Sequence, residues 1–378
     1  SGEPCGRGEK PHASRPQRSD PASARQGAPR HFHSRFAIGV RHPPRPTNRE
    51  HKGETAKFSL ICPMSYRDFM NEGPKTVIDL VDKFAVNTIV WLRSLPEDEL
   101  GPSRRMVEDI EALAERGGPF KFEEIVVCSA SEMLTALATL AARCRGDLRP
   151  ILHFVCHGSE ELGLLLAPSG DRIGWAELTT ALREINIAAE NNVCCIFGVC
   201  FGMYLSTALS VTEPTPYFLT IAPEREVSVG ELEARFPPFY ERLFETGNIT
   251  QAYRERLVEV LSIFQCQEIF GKVFATYIVN HGSGAAISAR RENLITKLLS
   301  RRGISVATPK QLRDVRAQMK VGLKLSQDIL DRYASVFLIG RKAGLDLEGV
   351  EKLAKVYRRR RDARHEGAAQ RVQKEEKW

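Results

Sequence analysis

Two residues in this sequence combine reactive side chains with neighbours that would leave them accessible: His157, followed by Gly158, and Cys200, followed by Phe201 and Gly202. An imidazole and a thiol together can carry out nucleophilic acyl transfer. The thiolate attacks a carbonyl, the imidazole stabilises it and protonates the departing nitrogen, and backbone N–H groups hold the developing oxyanion. Gly158 and Cys200 are expected to supply those N–H donors, because a glycine after the histidine lets a substrate carbonyl come close with no Cβ in the way. Gly202 would keep the nucleophile's turn open. A helix starting near Met203 would then present its N-terminus to the sulfur.

Each reactive residue terminates an apolar run. Ile151-Leu152-His153-Phe154-Val155-Cys156 leads into His157, and Val193-Cys194-Cys195-Ile196-Phe197-Gly198-Val199 leads into Cys200. Short runs rich in β-branched and aromatic residues read as buried strands of a parallel sheet. Their last residues emerge at the carboxyl edge, where open α/β sheets place ligands. Adjacent strands would therefore bring the imidazole and the sulfur to one rim. His153 lies two alternations back on the same face and reads as a hydrogen-bonded structural histidine. Cys156 and Cys195 read as core. His281-Gly282 repeats the His-Gly dipeptide, but it follows a helical stretch from Phe270 to Val279 and reads as a helix end. A zinc centre on His157 and Cys200 with Cys156 or Cys194 would lack the tight local ligand pairs such sites use, so no metal or other cofactor is expected.

The flanking elements fit an α/β layer. Strands are predicted at Val86–Leu92, Phe122–Cys128 and Tyr217–Ala222 besides the two reactive runs, with a short hairpin at Leu162–Leu166 turning at Ser169-Gly170-Asp171. Helices are predicted at Pro74–Phe84, Pro102–Arg116, from a Ser131 cap to Cys144, at Trp175–Ile185, Met203–Leu209, Glu231–Phe244 and Thr250–Phe264. Alternation of strands and helices argues for a doubly wound, mainly parallel sheet of five to six strands. Beyond Gly282 only helices are expected, at Arg290–Leu299, Pro309–Ala334 and Leu347–Arg361. The chain thus divides into a disordered basic tail at 1–56, an α/β domain at 57–282, a helical appendage at 283–361 and a charged tail at 362–378.

Composition narrows the class. The chain has 378 residues, 42% hydrophobic and 27% charged, and its apolar runs fall short of the roughly 20 residues a membrane span needs. Nine scattered cysteines without paired C-x-x-C spacing fit a reducing cytoplasm. The net charge of +7 is uneven, about +6 over 1–56 and about +12 over 283–378, which leaves an acidic middle. Glu160, Glu161 and Asp171 after the histidine, and Glu224 and Glu226 after the next strand, either pair an arginine or lysine of a substrate or are solvated loop charge. The Arg358–Arg361 run lacks interleaved aromatic residues, which argues against a nucleic-acid partner.

The stretch Pro150–Gly158, the Gly-Leu hairpin, Trp175-Ala176-Glu177-Leu178 and the strand ending Val199-Cys200-Phe201-Gly202 resemble the CHAT family of caspase-like proteins, within clan CD of the cysteine peptidases. Tyr217-Phe218-Leu219-Thr220-Ile221-Ala222-Pro223 and Phe239-Tyr240-Glu241-Arg242-Leu243 extend the likeness, which spans about residues 122–261. His157 precedes Cys200 by 43 residues, against about 50 in caspase-type signatures. The resemblance implies a caspase-like three-layer sandwich with a C-terminal helical appendage, a catalytic His157, a nucleophilic Cys200, and endopeptidase action on a protein partner. Relatives are mostly bacterial, and several cut partners in defence or cell-death responses. A substrate encoded nearby and a regulatory or sensor protein are the implied partners. This chain differs from many relatives in lacking a repeat array and in carrying Gly198-Val199 before the cysteine. The alternative is a catalytically silent module that keeps the fold as an interaction surface.

Overall fold

The computed structural model describes residues 85–375, apart from 117–119, 302, 305–306 and 323–324. The tail predicted at 1–56, the helix at Pro74–Phe84 and the last three residues of the charged tail lie outside the described residues.

The core is a mixed, mostly parallel sheet. Its strands in chain order are β1 (Thr88–Ser94), β2 (Lys121–Val126), β3 (Pro150–Ser159), the hairpin β4 (Gly163–Leu165) and β5 (Arg172–Ile173), β6 (Cys194–Gly198), β7 (Leu219–Ala222) and β8 (Ser262–Gln265). The main path runs β2-β1-β3-β6-β7-β8, with β4 and β5 extending from the end of β3. Pairings from β2 to β7 are parallel, and β8 pairs antiparallel with β7. β1, β6 and β7 are buried almost throughout, which is why their sequences run apolar without alternation: helices cover both faces.

One covering layer comprises α1 (Leu100–Glu115), α4 (Val229–Thr246) and α5 (Ile249–Arg256), with α1 against α4 and α4 against α5. The other comprises α2 (Ala130–Cys144) and α3 (Trp175–Ala188), packed on each other, and the 3₁₀ helix Gly202–Ala208, which packs on α3. This is the α/β layer arrangement that the sequence pattern predicts. The strand and helix positions agree with expectation along most of the chain.

Four local differences have physical causes. The helix expected to run from Thr250 to Phe264 ends at Arg256, and residues 262–265 form edge strand β8; Leu257–Leu261 carries helix-like apolar spacing, but pairing with β7 claims the four residues that follow. The cap of α2 is Ser129, whose hydroxyl accepts from Glu132 N–H at 3.2 Å, and Ser131 already lies inside the helix. The turn after Cys200 is a seven-residue 3₁₀ helix. It is too short and too tightly wound to supply the helix N-terminus expected near Met203. Finally, the helix expected over Pro309–Ala334 is two helices, α8 (Pro309–Gly322) and α9 (Gln327–Phe337), because Ser326 caps a new start by accepting from Ile329 N–H.

The remaining helices are α6 (Cys266–His281), α7 (Gly284–Arg301) and α10 (Leu347–Glu375). α10 packs along α6, burying Val350, Ala354 and Tyr357. The loop after α9 is stitched to the starts of β6 and β7: Thr215 N–H donates to Phe337 C=O at 2.9 Å, and Asn191 Nδ2 donates to Leu338 C=O at 3.1 Å. Asn186 completes the knot, donating to Asn191 Oδ1 and Thr215 C=O and accepting from Val193 N–H. Arg341 lies over the Phe218 ring, 5.0 Å from its centre.

Candidate active site

β3 and β6 are hydrogen-bonded neighbours in parallel register, with Val155 opposite Gly198. His157 lies two residues further along β3, opposite Leu165 of β4, and Cys200 lies two residues past Gly198 in the turn that follows β6, so both stand at the carboxyl end of the sheet. The tightness of this junction is visible at Gly158. A Cβ built there would lie 2.2 Å from the Cys200 carbonyl oxygen and 2.4 Å from Val199 Cγ1. Glycine is therefore demanded at 158 by the Cys200 backbone, which passes through the space that a side chain would need. Gly202 is equally constrained, since its Cβ would lie 2.8 Å from Phe197 Cβ.

The turn that presents Cys200 is strained. Phe201 adopts the left-handed conformation, φ 59° and ψ 19°, which a bulky residue enters only at a cost of about 1–2 kcal/mol. Surrounding hydrogen bonds hold it there. Phe201 N–H donates to Arg225 C=O at 3.2 Å, Gly202 N–H to Val199 C=O at 3.1 Å, and Met203 N–H to Pro223 C=O at 3.0 Å. The loop from Pro223 to Ser228 thus wraps the reactive turn. The Cys200 sulfur rests against the same loop: Val227 N–H donates to Sγ at 3.5 Å, and the thiol lies 3.6 Å from Val227 C=O. Ser228 follows as the cap of α4, closing a reciprocal box with Glu231. Glu231 also accepts from Arg225 Nη2 at 3.2 Å. The two Ser228 donors, with Arg225, hold the Glu231 carboxyl below its usual range.

His157 is nearly half exposed, at 47% of its side-chain surface, and its Nε2 lies 2.8 Å from Glu99 Oε2. Glu99 ends the 3₁₀ turn Glu97–Glu99 between β1 and α1, and sequence reasoning passed over it. Three adjacent acids before a helix read as a solvated first turn. The signal that could have found Glu99 is topological: once β1 is placed beside β3, the segment leaving β1 must pass close to His157.

The structure brings Gly158 and Cys200 together as expected, whereas the acidic residues have other attachments. Asp171 accepts from Ala130 N–H at 3.0 Å, helping to start α2, and Glu224 accepts from Ser262 Oγ at 2.5 Å beside β8. The backbone carbonyls of Ser159 and Glu160 both accept from Trp175 Nε1, at 3.1 and 3.0 Å, so the loop after His157 is anchored to α3. Glu161 and Glu226 are exposed.

Deeper in β3, His153 is fully buried and shares a 2.7 Å hydrogen bond with the Tyr240 hydroxyl. It stacks on Trp91 with ring centres 4.0 Å apart and meets the Phe236 ring edge-on. Burial depresses its basicity far below the ordinary imidazole range, so it is neutral. Its role is structural, as expected. Cys156, also buried, has its thiol pushed up to about 12, and Cys195 is driven higher still by the same loss of solvent. Both are inert core residues. His281 is the last residue of α6, followed by Gly282, as the sequence pattern indicates. Among the described residues, no group of three or more His, Cys, Asp or Glu side chains is placed to hold a metal ion, and no helix is long and apolar enough to cross a membrane.

A scan against models of known protein families and a search of curated proteins found no match for this chain.

Proposed function

We propose that this protein is a caspase-like cysteine endopeptidase that cuts a protein partner with Cys200 as nucleophile and His157 as its acid/base partner. The observation that carries the reading is the backbone contact where β3 and β6 leave the sheet: Gly158, next to His157 in sequence, lies pressed against the Cys200 carbonyl. The strained Phe201 turn supports it further, because backbone strain of this kind concentrates where a reactive side chain must be held out of the regular strand.

In the proposed reaction the Cys200 thiolate adds to the scissile carbonyl carbon, forming a C–S bond and an oxyanion that the N–H groups of Gly158 and Cys200 receive. Collapse breaks the C–N bond, and His157 delivers its proton to the departing amine. Water then adds to the thioester, releasing the new carboxylate and restoring the thiol. A cationic side chain in the substrate would be met by acids other than Asp171 and Glu224, whose carboxylates are engaged by Ala130 N–H and Ser262 Oγ.

The test begins with the thiols. Treatment of the full chain with iodoacetamide, followed by peptide mass mapping, should label Cys200 at least tenfold faster than the exposed Cys128. The buried Cys144, Cys156, Cys194, Cys195 and Cys266 should stay unmodified. An acyloxymethyl-ketone peptide with a terminal arginine should label Cys200 alone, and labelling should vanish in Cys200→Ala and His157→Ala. If Cys200 reacts no faster than Cys128 and the ketone fails to label it, the chain is the silent interaction module instead.

A further inference from the structure

Glu99 stands out because it completes a line across the sheet. Strands β1, β3 and β6 are consecutive neighbours, and at the same rim the segments leaving them carry a carboxylate, an imidazole and a thiol respectively. We infer that Glu99 is a positioning residue for His157, an inference that rests on the peptidase reading above.

The geometry gives the carboxylate one task. Oε2 lies 2.8 Å from Nε2, within range of a charge-assisted hydrogen bond, so with Glu99 accepting the Nε2 proton it is Nδ1 that remains to exchange a proton with the reacting atoms. A flexible carboxylate on an exposed loop would hold this poorly, but the Glu99 backbone is fixed. Its N–H donates to Pro96 C=O at 3.1 Å, and its residue is the junction from which α1 begins. Nor is the carboxylate drawn elsewhere: Arg104 is engaged by Glu97 instead, at 3.4 Å, and His157 is the ion-pair partner of Glu99 among the described residues. The carboxylate fixes the orientation of the ring at the step where His157 gives its proton away.

The variants Glu99→Gln, Glu99→Asp and Glu99→Ala separate this role from a merely structural one. Turnover of arginyl-peptide aminomethylcoumarin amides by the full chain should fall by roughly ten- to a hundredfold in kcat for Glu99→Gln, with KM within about twofold. Glu99→Asp, one methylene shorter, should recover part of the loss. Because the pair is exposed, the melting temperatures of all three variants should match the wild type. Unchanged or increased kcat in Glu99→Gln, in a preparation whose Cys200→Ala variant is dead, overturns the inference while leaving the peptidase reading intact. An inactive wild type in which Cys200 labels no faster than Cys128 removes both.

Discussion

Replacing Gly158 by alanine tests the junction between β3 and β6 directly. The added methyl would meet the Cys200 carbonyl oxygen at 2.2 Å and Val199 Cγ1 at 2.4 Å, where real Cβ atoms keep at least 3.0 Å. The valine methyl can rotate aside, but the carbonyl belongs to a backbone already committed, since Phe201 is left-handed and its N–H is held by Arg225. The strand ends must then separate by about 0.8 Å or more, at a cost of about 1–3 kcal/mol. For a domain of this size, each kcal/mol lowers Tm by about 2–4 °C, so a drop of about 2–12 °C is expected. The same displacement moves Cys200 relative to His157, and a misplacement near 1 Å costs about a hundredfold in rate. Differential scanning calorimetry and timed iodoacetamide labelling of Cys200 would read the two effects. Gly230→Ala is the control, since a Cβ there meets nothing within 4 Å and lies in the first turn of α4. A Gly158→Ala protein that melts within a degree of wild type and labels at the same rate would refute the reasoning.

Further outcomes follow from other contacts. His153 is neutral in the fold and acquires a proton once unfolded, so stability should be full above about pH 6.5 and decline below it, by up to about 1.4 kcal/mol per pH unit. Urea unfolding at pH 7.0 and 5.5 should show this slope in wild type and lose it in His153→Phe. The paired carboxylates Glu231, Glu233, Glu255 and Glu292 are all held below the ordinary range and leave that window undisturbed. At position 201 the usual order of hydrophobic preference should reverse: Phe201→Val should unfold at lower urea than Phe201→Gly, by about 1–2 kcal/mol, because a β-branched residue cannot take the left-handed turn. Trp175→Phe leaves the Ser159 and Glu160 carbonyls without their indole donor and should cost about 1 kcal/mol, with faster amide exchange from Ser159 to Leu162.

Much of this architecture is legible from apolar runs alone. β3 and β6 are continuous hydrophobic segments because both faces are covered, and such segments declare themselves without knowledge of their neighbours. His157 and Cys200 at or just past their ends are legible for the same reason, since polarity returns where the chain leaves the core. What is hidden depends on long-range pairing. β8 takes the residues just after a helix-like Leu257–Leu261, and only its hydrogen bonds to β7 make it a strand. Glu99 is one acid among three until β1 is known to lie against β3. The glycine at 158 is predictable as a residue but not in its cause: the space it leaves is filled by the Cys200 backbone. Phe201 carries no local signal, because the strain in its turn is imposed by the Pro223–Ser228 loop 22 or more residues away in sequence.

The reversed direction of β8 determines where everything after it can go. A sixth parallel strand would have returned the polypeptide to the reactive rim; running the other way, β8 delivers it to the opposite end of the sheet. There the hinge around Phe337 and Leu338 is pinned to Asn191 and Thr215, beneath the roots of β6 and β7. The loop after α9 is a foundation, not a lid. A molecule that grips α9 would reach the sulfur through those two strands, over the roughly 15 Å that a strand of four or five residues spans.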